Sequence, residues 1–213
     1  PEPVPQTAPR PKASGYLFPW TPAYWRAAAV QGKDLKVMVA VSMMVAMSVV
    51  LTCVSDIQIP LGNNLRIRFD FLANAVAGMI GGPIVSLGYG LVADLVAYFI
   101  HPFGAYFPGY TLSSMLGAFV YALFFYRSRI TIVRVALCKL SVNLFINVLL
   151  GSVWSAVQFS KGYWYYLGNS IIKNSIMLPI EIALLVLVLG LLVPIISRFG
   201  LIPKPSKKII PIW

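Results

Sequence analysis

Long apolar runs recur between residues 37 and 196, separated by short polar, glycine-rich or proline-rich segments. A helix that crosses the hydrocarbon core of a bilayer, roughly 30 Å thick, needs about 20 mostly apolar residues. The composition agrees with this interpretation, because 59% of the residues are hydrophobic and 11% are charged, which lies outside the range of soluble domains. The chain is therefore predicted to be an all-α membrane protein, a bundle of six transmembrane helices.

The six spans can be placed from the apolar runs, at residues 37–54, 69–80, 84–100, 110–126, 135–153 and 169–196. The second run is too short to cross the bilayer, and it ends at the corner Gly81-Gly82-Pro83. Non-helical backbone at membrane depth is tolerated only where it is buried in protein or lines a cavity. Spans 2 and 3 are therefore predicted to form a re-entrant or tilted hairpin.

Residues 1–34 are predicted to be a disordered or interfacial N-terminal segment, and residues 199–213 a cytoplasmic tail. The first 15 residues are polar and proline-rich, a composition typical of disorder. Residues 16–30 mix aromatic side chains with proline and Arg26, which suits the headgroup level of a membrane. A loop with incidental aromatic residues explains this stretch equally well. Residues 35–198 form the predicted transmembrane domain.

The positive charges are distributed unevenly along the chain, whose formal net charge is +11. Thirteen of the 17 Lys and Arg residues precede the first span, lie between residues 127 and 139, or follow the last span. This pattern predicts that both termini and the loop after span 4 are cytoplasmic, and it explains the charge without a nucleic-acid partner. The other four cations fall in the outer half, where this rule gives no reason for them: Arg66, Arg68, Lys161 and Lys173.

The outer half also holds aromatic and amide side chains that suit a flat, anionic solute. The four cations can pair with carboxylates or phosphates, and Asp94, Asn143 and Asn147 offer donors and acceptors for the edge of a heterocycle. Aromatic residues of this layer can sandwich a ring; the candidates are Phe71, Tyr98, Phe103, Tyr106, Phe107, Tyr110, Trp154, Tyr163 and Trp164. The sequence thus predicts a ligand pocket near the outer surface. Interhelical hydrogen bonding alone is the alternative for Asp94 and Glu181.

No catalytic residue, metal site or cofactor is predicted. The single histidine, His101, precedes a proline in a loop, and no HExxH, paired-carboxylate or Ser/His/Asp arrangement can be assembled from six acidic residues. The sequence has no P-loop, so ATP hydrolysis by this chain is not expected. The two cysteines, Cys53 and Cys138, lie inside apolar runs without metal-ligand spacing and are predicted to be free.

Several segments resemble a known family: Arg66 to Phe69, AGMIGGP at 77–83, GYG at 88–90, Asp94, FGAYFPGYTL at 103–112, and KNSIMLPIE at 173–181. Together they are similar to the substrate-binding S component of energy-coupling factor (ECF) vitamin transporters, and most similar to the folate-specific members. The resemblance covers about residues 35–197 and adds Tyr89 to the candidate site. It implies a six-helix bundle that binds its vitamin near the outer surface, beneath the loops that follow spans 1, 3 and 5.

The resemblance also implies a bacterial plasma-membrane location and partners. Members assemble with a transmembrane coupling protein, the T component, and with two cytoplasmic ATPases. They dock through an Ala-x-x-x-Ala face on span 1, to which Ser42 and Ala46 correspond here, with Ala40 nearby. A basic residue at the end of the loop that follows span 1 belongs to the folate-type pattern, and Arg66 fits it better than Arg68.

Three other functions remain open from the sequence. The same family with a different flat vitamin, such as riboflavin, is the first. A small membrane enzyme acting on lipid or isoprenoid substrates through Asp94 and Asp70 is the second, and it requires a metal. A structural membrane protein without a ligand is the third, and it predicts that Arg66 and Asp94 tolerate alanine.

Overall fold

The computed structural model describes residues 19, 21–54, 58–59, 65–66, 69–102, 105–158, 162–203 and 211. These residues are almost entirely helical. The helices are α1 (Pro22–Gln31), α2 (Leu35–Val54), α3 (Asp70–Ile100), α4 (Pro108–Phe125), α5 (Ile132–Ser141), α6 (Gly151–Gln158) and α7 (Tyr163–Arg198). A π-helix, Val142–Leu150, joins α5 to α6 and is called the π segment below. Two two-residue strands, β1 (Gln58–Ile59) and β2 (Leu65–Arg66), pair antiparallel.

Within the described ranges, five helices are long and apolar enough to cross a membrane: α2, α3, α4, the continuous helix Ile132–Gln158, and α7. Their outward faces carry exposed apolar side chains, such as Met43, Phe145 and Leu191. In water such a surface would be costly to expose, whereas lipid tails solvate it. The prediction of an all-α membrane fold is confirmed.

Helix α3 folds back on itself at Gly82, where φ is +75° and ψ is 176°. Tyr89 beyond the corner donates a hydrogen bond to Asn74 Oδ1 before it, at 2.9 Å. Asp70 and Ala97 line the same cavity, although a straight helix would separate them by about 40 Å at 1.5 Å per residue. The predicted corner and hairpin are therefore confirmed, with residues 70–81 and 83–100 as the two arms.

The hairpin packs closely against α4. A Cβ atom added to Gly78 would lie 2.8 Å from the backbone nitrogen of Ala122, and one added to Gly90 would lie 2.7 Å from Met115 Cα. The hydrophobic effect does not drive helices together in lipid, so close van der Waals contact between backbones takes its place. Glycine on both arms permits this contact and fixes the relative positions of α3 and α4.

Helix α1 packs against the hairpin corner and the end of α4, a contact that the sequence did not predict. The Tyr24 side chain is fully buried, and its hydroxyl donates to the carbonyl oxygen of Ala122 at 3.2 Å. The Tyr126 hydroxyl donates to Gln31 Oε1 at 3.1 Å, and Gln31 Nε2 donates to the carbonyl oxygen of Ile80 at 3.3 Å. Burial, with a smaller effect of Tyr126, raises the pKa of Tyr24, so its hydroxyl remains a donor.

Replacing Tyr24 with alanine is expected to lower the free energy of unfolding by about 3 kcal/mol, because a buried ring and its hydrogen bond are both lost. Thermal unfolding of the detergent-purified protein measures the effect. Val30→Ala on the same helix is the matched control, since Val30 is 54% exposed and should change stability little. Equal melting temperatures for the two variants would show that α1 does not hold the corner.

Candidate functional site

Two clusters of polar side chains lie inside the part of the spans that the structure describes. The Asp94 cluster comprises Asp94, Tyr106, Thr111 and Ser114, between the second arm of α3 and the start of α4. The Lys139 cluster comprises Lys139, Tyr121, Asn143, Asn147 and Glu181, between α4, α5, the π segment and α7. Ionisable groups at membrane depth are costly, so they pair with one another or face a cavity.

In the Asp94 cluster, neutral hydroxyl groups satisfy the carboxylate. Thr111 Oγ1 donates to one oxygen at 2.7 Å, and Ser114 Oγ donates to the other at 3.0 Å. Thr111 also shares a hydrogen bond of 3.0 Å with the Tyr106 hydroxyl. The centroid of the Tyr106 ring lies 5.2 Å from that of the Tyr98 ring. The cluster therefore connects the intramembrane carboxylate to aromatic residues near the loop between α3 and α4.

A small polar cavity beside this cluster brings Asp70 and Asp94 to the same space, together with Ser48, Thr52 and Asn74. Its volume, about 20 Å³, has room for about one water molecule. The two carboxylates of the enzyme alternative thus share a cavity, but that cavity is too small for a lipid or isoprenoid substrate. Among the described residues, no group of three His, Cys, Asp or Glu side chains lies close enough to hold a metal ion.

The Lys139 cluster centres on an ion pair. Lys139, 2% exposed, places its Nζ atom 3.3 Å from Glu181 Oε1 and donates to the Tyr121 hydroxyl at 3.3 Å. Its ammonium also lies 4.0 Å from the centroid of the Phe71 ring, a cation–π contact. Removing one charge of such a buried pair leaves the other uncompensated. One face of the Phe71 ring thus lies against the buried cation of Lys139.

The sequence did not identify the role of Lys139, and it did not identify the partner of Glu181. Counting Lys139 among the cytoplasmic cations was wrong, because it lies inside α5 and is buried. The predicted alternative for Glu181, interhelical hydrogen bonding, matches the contacts observed. The signal was present in the sequence, since an acidic residue within an apolar run requires a partner, but periodicity on α7 alone cannot show that the partner is on α5.

Two asparagines of the π segment extend the Lys139 cluster. Asn143 Nδ2 donates to Glu181 Oε2 at 2.8 Å, and Asn147 Nδ2 donates to Asn143 Oδ1 at 2.9 Å. Ser170 Oγ on α7 donates to the backbone oxygen of Asn147 at 3.1 Å, and Asn174 Nδ2 donates to the backbone oxygen of Ser170 at 2.8 Å. π-Helices are rare and frequently mark functional sites. Asn143 and Asn147 therefore lie on the same side of this helix as Lys139, and all three belong to one hydrogen-bonded cluster with Glu181.

Three predicted aromatic residues come together at the start of α4. The Phe107 ring centroid lies 5.8 Å from that of Tyr110 and 5.7 Å from that of Trp154. Trp154 Nε1 donates to Ser113 Oγ at 2.9 Å. Gly109 is buried beneath these rings, since a Cβ atom there would come within 2.6 Å of the Trp154 ring. Tyr89, by contrast, is buried inside the hairpin against Asn74.

The remaining candidates are partly outside the described structure. Arg68, Phe103 and Lys161 lie outside the described residues. Arg66 lies in β2, opposite Gln58 of β1. Lys173 is half-buried on α7, about one turn after Ser170 and directly before Asn174. The role of these cations in binding stays a prediction.

The candidate docking face lies on α2. Ser42 and Ala46 are exposed, and Ala40 is half-buried. Ser42 Oγ donates to the backbone oxygen of Met38 at 2.9 Å, so its polar atom is satisfied within the helix. The side chains of Ser42 and Ala46 are small, and small residues at this spacing permit a close helix–helix contact.

The sequence and the fold are both similar to known proteins. The profile of the family described as "ECF-type riboflavin transporter, S component" matches residues 33–199, a range that begins after α1. The folate transporter FolT of Clostridium novyi (strain NT) is 32% identical over 149 residues, 70% of this chain and 85% of that protein. The folate transporter FolT of Leuconostoc mesenteroides is 27% identical over 159 residues, 71% of this chain and 83% of that protein.

One solved structure, described as the crystal structure of FolT bound with folic acid, has a similar fold. Its TM-score is 0.63 at 27% sequence identity, and the alignment covers 71% of this chain and 91% of that chain. Both sequence and fold therefore place the described bundle among these transport proteins.

Proposed function

We propose, from the premise that this chain belongs to the S-component family of ECF-type transporters, that it is the high-affinity folate-binding subunit of an ATP-driven vitamin importer. Membership makes it a multi-pass protein of the bacterial plasma membrane, and its family is one of transporter subunits rather than enzymes. The observation that carries the choice of folate is the similarity to the structure of FolT bound with folic acid.

The chemistry of the candidate residues supports a folate-like ligand. Folate combines a flat pterin ring with a glutamate tail that carries carboxylates. Phe107, Tyr110 and Trp154 offer ring faces for stacking, whereas Arg66 and Lys173 are proposed to bind carboxylates. The full proposed contact set is Arg66, Arg68, Phe71, Tyr89, Asp94, Tyr98, Phe107, Tyr110, Asn143, Asn147, Trp154, Lys161 and Lys173.

The proposed topology has six crossings with both termini in the cytoplasm. Each arm of the α3 hairpin counts as one span, so five apolar helices give six crossings. The corner at Gly82 then faces the cytoplasm, next to α1, and the loop between α3 and α4 faces outward. Arg127 and Arg129, which follow α4, lie on the cytoplasmic side in this arrangement, as the positive-inside rule expects.

The proposed partners are a transmembrane coupling protein and two cytoplasmic ATPases, together with the lipid bilayer. Ala40, Ser42 and Ala46 on α2 form the proposed docking face. The sequence of this chain contains no P-loop, so energy from ATP has to reach it through a partner. The family membership supports this assembly.

Riboflavin is the second candidate ligand, because the matching family profile is described as a riboflavin transporter component. Its ring system is also flat and carries a lactam N–H, so the aromatic and amide residues suit it as well. It lacks the carboxylates of the glutamate tail, and the outer cations distinguish the two ligands for that reason.

Calorimetric titration of the detergent-purified chain with folic acid, and separately with riboflavin, tests the proposal. We expect nanomolar binding of folic acid, weakened about 10- to 150-fold by Arg66→Ala, because a charge-assisted hydrogen bond contributes about 1.5–3 kcal/mol. Lys33→Ala, at the exposed turn between α1 and α2, is the control and should bind as the unmodified protein does. Binding of riboflavin alone would replace the ligand, and no binding of either would overturn the proposal.

A further inference from the structure

We infer that Glu181 is a positioning residue that fixes which atom Asn147 presents to the ligand, and that this atom is the carbonyl oxygen Oδ1. The inference rests on the proposed function, because it places Asn147 at the edge of the bound heterocycle. It assigns to Glu181, and through it to Lys139, a role in ligand specificity rather than in contact with the ligand.

The direction of the hydrogen bonds follows from the carboxylate at one end of the chain. An ionised carboxylate accepts and does not donate, and Lys139 lies 3.3 Å from Glu181 Oε1 as its counter-ion. Asn143 must therefore turn its amide nitrogen toward Glu181 Oε2, at 2.8 Å. An asparagine amide can otherwise be placed in either of two orientations, so the charge on Glu181 makes the choice.

The orientation of the Asn143 amide in turn determines that of the Asn147 amide. With its nitrogen bound to Glu181, Asn143 has only its carbonyl oxygen left for Asn147, and it accepts from Asn147 Nδ2 at 2.9 Å. Asn143 is buried and Asn147 is exposed, so the chain of amides runs from the protein interior to its surface. Asn147 Oδ1 is therefore the acceptor at the outer end of this series of amides.

An amide oxygen at this depth requires a donor. Among the described residues, none donates to Asn147 Oδ1, although Ser170 donates to the backbone oxygen of the same residue. An unpaired amide group out of water costs free energy, and an exposed asparagine within an apolar span is expected to face a ligand or a water-filled cavity rather than lipid. A ring N–H of the ligand would satisfy this oxygen.

Because Asn147 presents an acceptor, the ligand is predicted to present a donor to it. The pterin of folic acid carries a lactam N3–H, which can donate to Asn147 Oδ1. Aminopterin differs from folic acid only by a 4-amino group in place of the 4-oxo group, and its N3 atom carries no hydrogen. Two acceptors then face each other, and a site built to bind an N–H rejects an analogue that lacks it.

The test compares the dissociation constants of folic acid and aminopterin within the same purified variant, so that loss of folded protein cancels from their ratio. We expect the unmodified protein to bind aminopterin at least about 10-fold more weakly. In Asn143→Leu the Asn147 amide is free to rotate, and in Glu181→Gln the partner of Asn143 can donate as well as accept. Both variants should bring the ratio to within about threefold of unity.

The control is Leu144→Ala, a neighbouring exposed residue of the π segment, which should keep the original ratio. An unchanged ratio in Asn143→Leu and Glu181→Gln would overturn the inference, as would equal binding of both ligands by the unmodified protein, while folic acid binding itself would still support the proposed function. Binding of neither ligand to the unmodified protein would remove both. A uniform loss of affinity for both ligands in the variants would indicate a purely structural role for Glu181.

Discussion

Lys139→Met is expected to lower the free energy of unfolding by about 3–5 kcal/mol, because it leaves the carboxylate of Glu181 buried without its cation. Glu181 is 13% exposed and Lys139 is 2% exposed, so water can compensate little of this loss. The cation–π contact with the Phe71 ring disappears as well. Thermal and denaturant unfolding in detergent provide the measurement.

The double variant Lys139→Met/Glu181→Leu is the matched control for the ion pair. Replacing both members of a buried pair with apolar residues is often neutral or stabilising, so it should regain most of the stability that the single variant loses. Asn143 then loses its acceptor, a residual cost of about 1 kcal/mol. A double variant that is as unstable as the single one would show that overall packing at Lys139, rather than charge pairing, accounts for the effect.

Gly82→Ala is expected to cost about 3 kcal/mol or more, from two separate causes. The backbone there has φ +75° and ψ 176°, a region that is essentially restricted to glycine and strains other residues by about 1–3 kcal/mol. An added Cβ atom would also lie 3.0 Å from the Tyr126 ring, and overpacking of this kind costs about 1–3 kcal/mol. The melting temperature in detergent should fall accordingly.

Gly88→Ala is the matched control, since Gly88 lies on the second arm of the same hairpin and a Cβ atom there meets nothing within 4 Å. Alanine is the better helix former by about 1 kcal/mol, so this variant should be neutral or more stable. Combining Gly82→Ala with Tyr126→Leu should relieve the contact with the ring but not the backbone strain. Equal stability of the Gly82 and Gly88 variants would contradict the hairpin corner described here.

The two clusters and α1 meet the hairpin in different places, and this suggests how the parts depend on one another. Residues 70–81 supply Phe71 to the Lys139 cluster, and residues 83–100 supply Asp94 to the other cluster. Tyr126 contacts both Gly82 and α1. Destabilising the corner should therefore disturb both polar clusters together.

The sequence by itself determined the class of the fold and the position of the corner. Hydropathy depends on composition over about 20 residues, so it identifies the membrane spans without reference to tertiary contacts. The corner is a local feature as well, because the backbone conformation found at Gly82 is essentially restricted to glycine. The sequence alone also showed the resemblance of local segments to the ECF S components. Helix α1 was missed, because the prolines and aromatic residues around it obscure an apolar period.

Only the tertiary structure decided which polar groups meet. A spacing of four residues places side chains on one face of a helix, as it does for Lys139, Asn143 and Asn147. This spacing could not show that Glu181 pairs with Lys139 across two helices. Nor could it show that Asp70 and Asp94 share a cavity, or that a π segment carries both asparagines. The physical reason is that a period fixes the direction of a side chain about its own helix axis, whereas a partner depends on the rotation, depth and distance of the next helix. Those are set by backbone contacts such as the ones at Gly78 and Gly90.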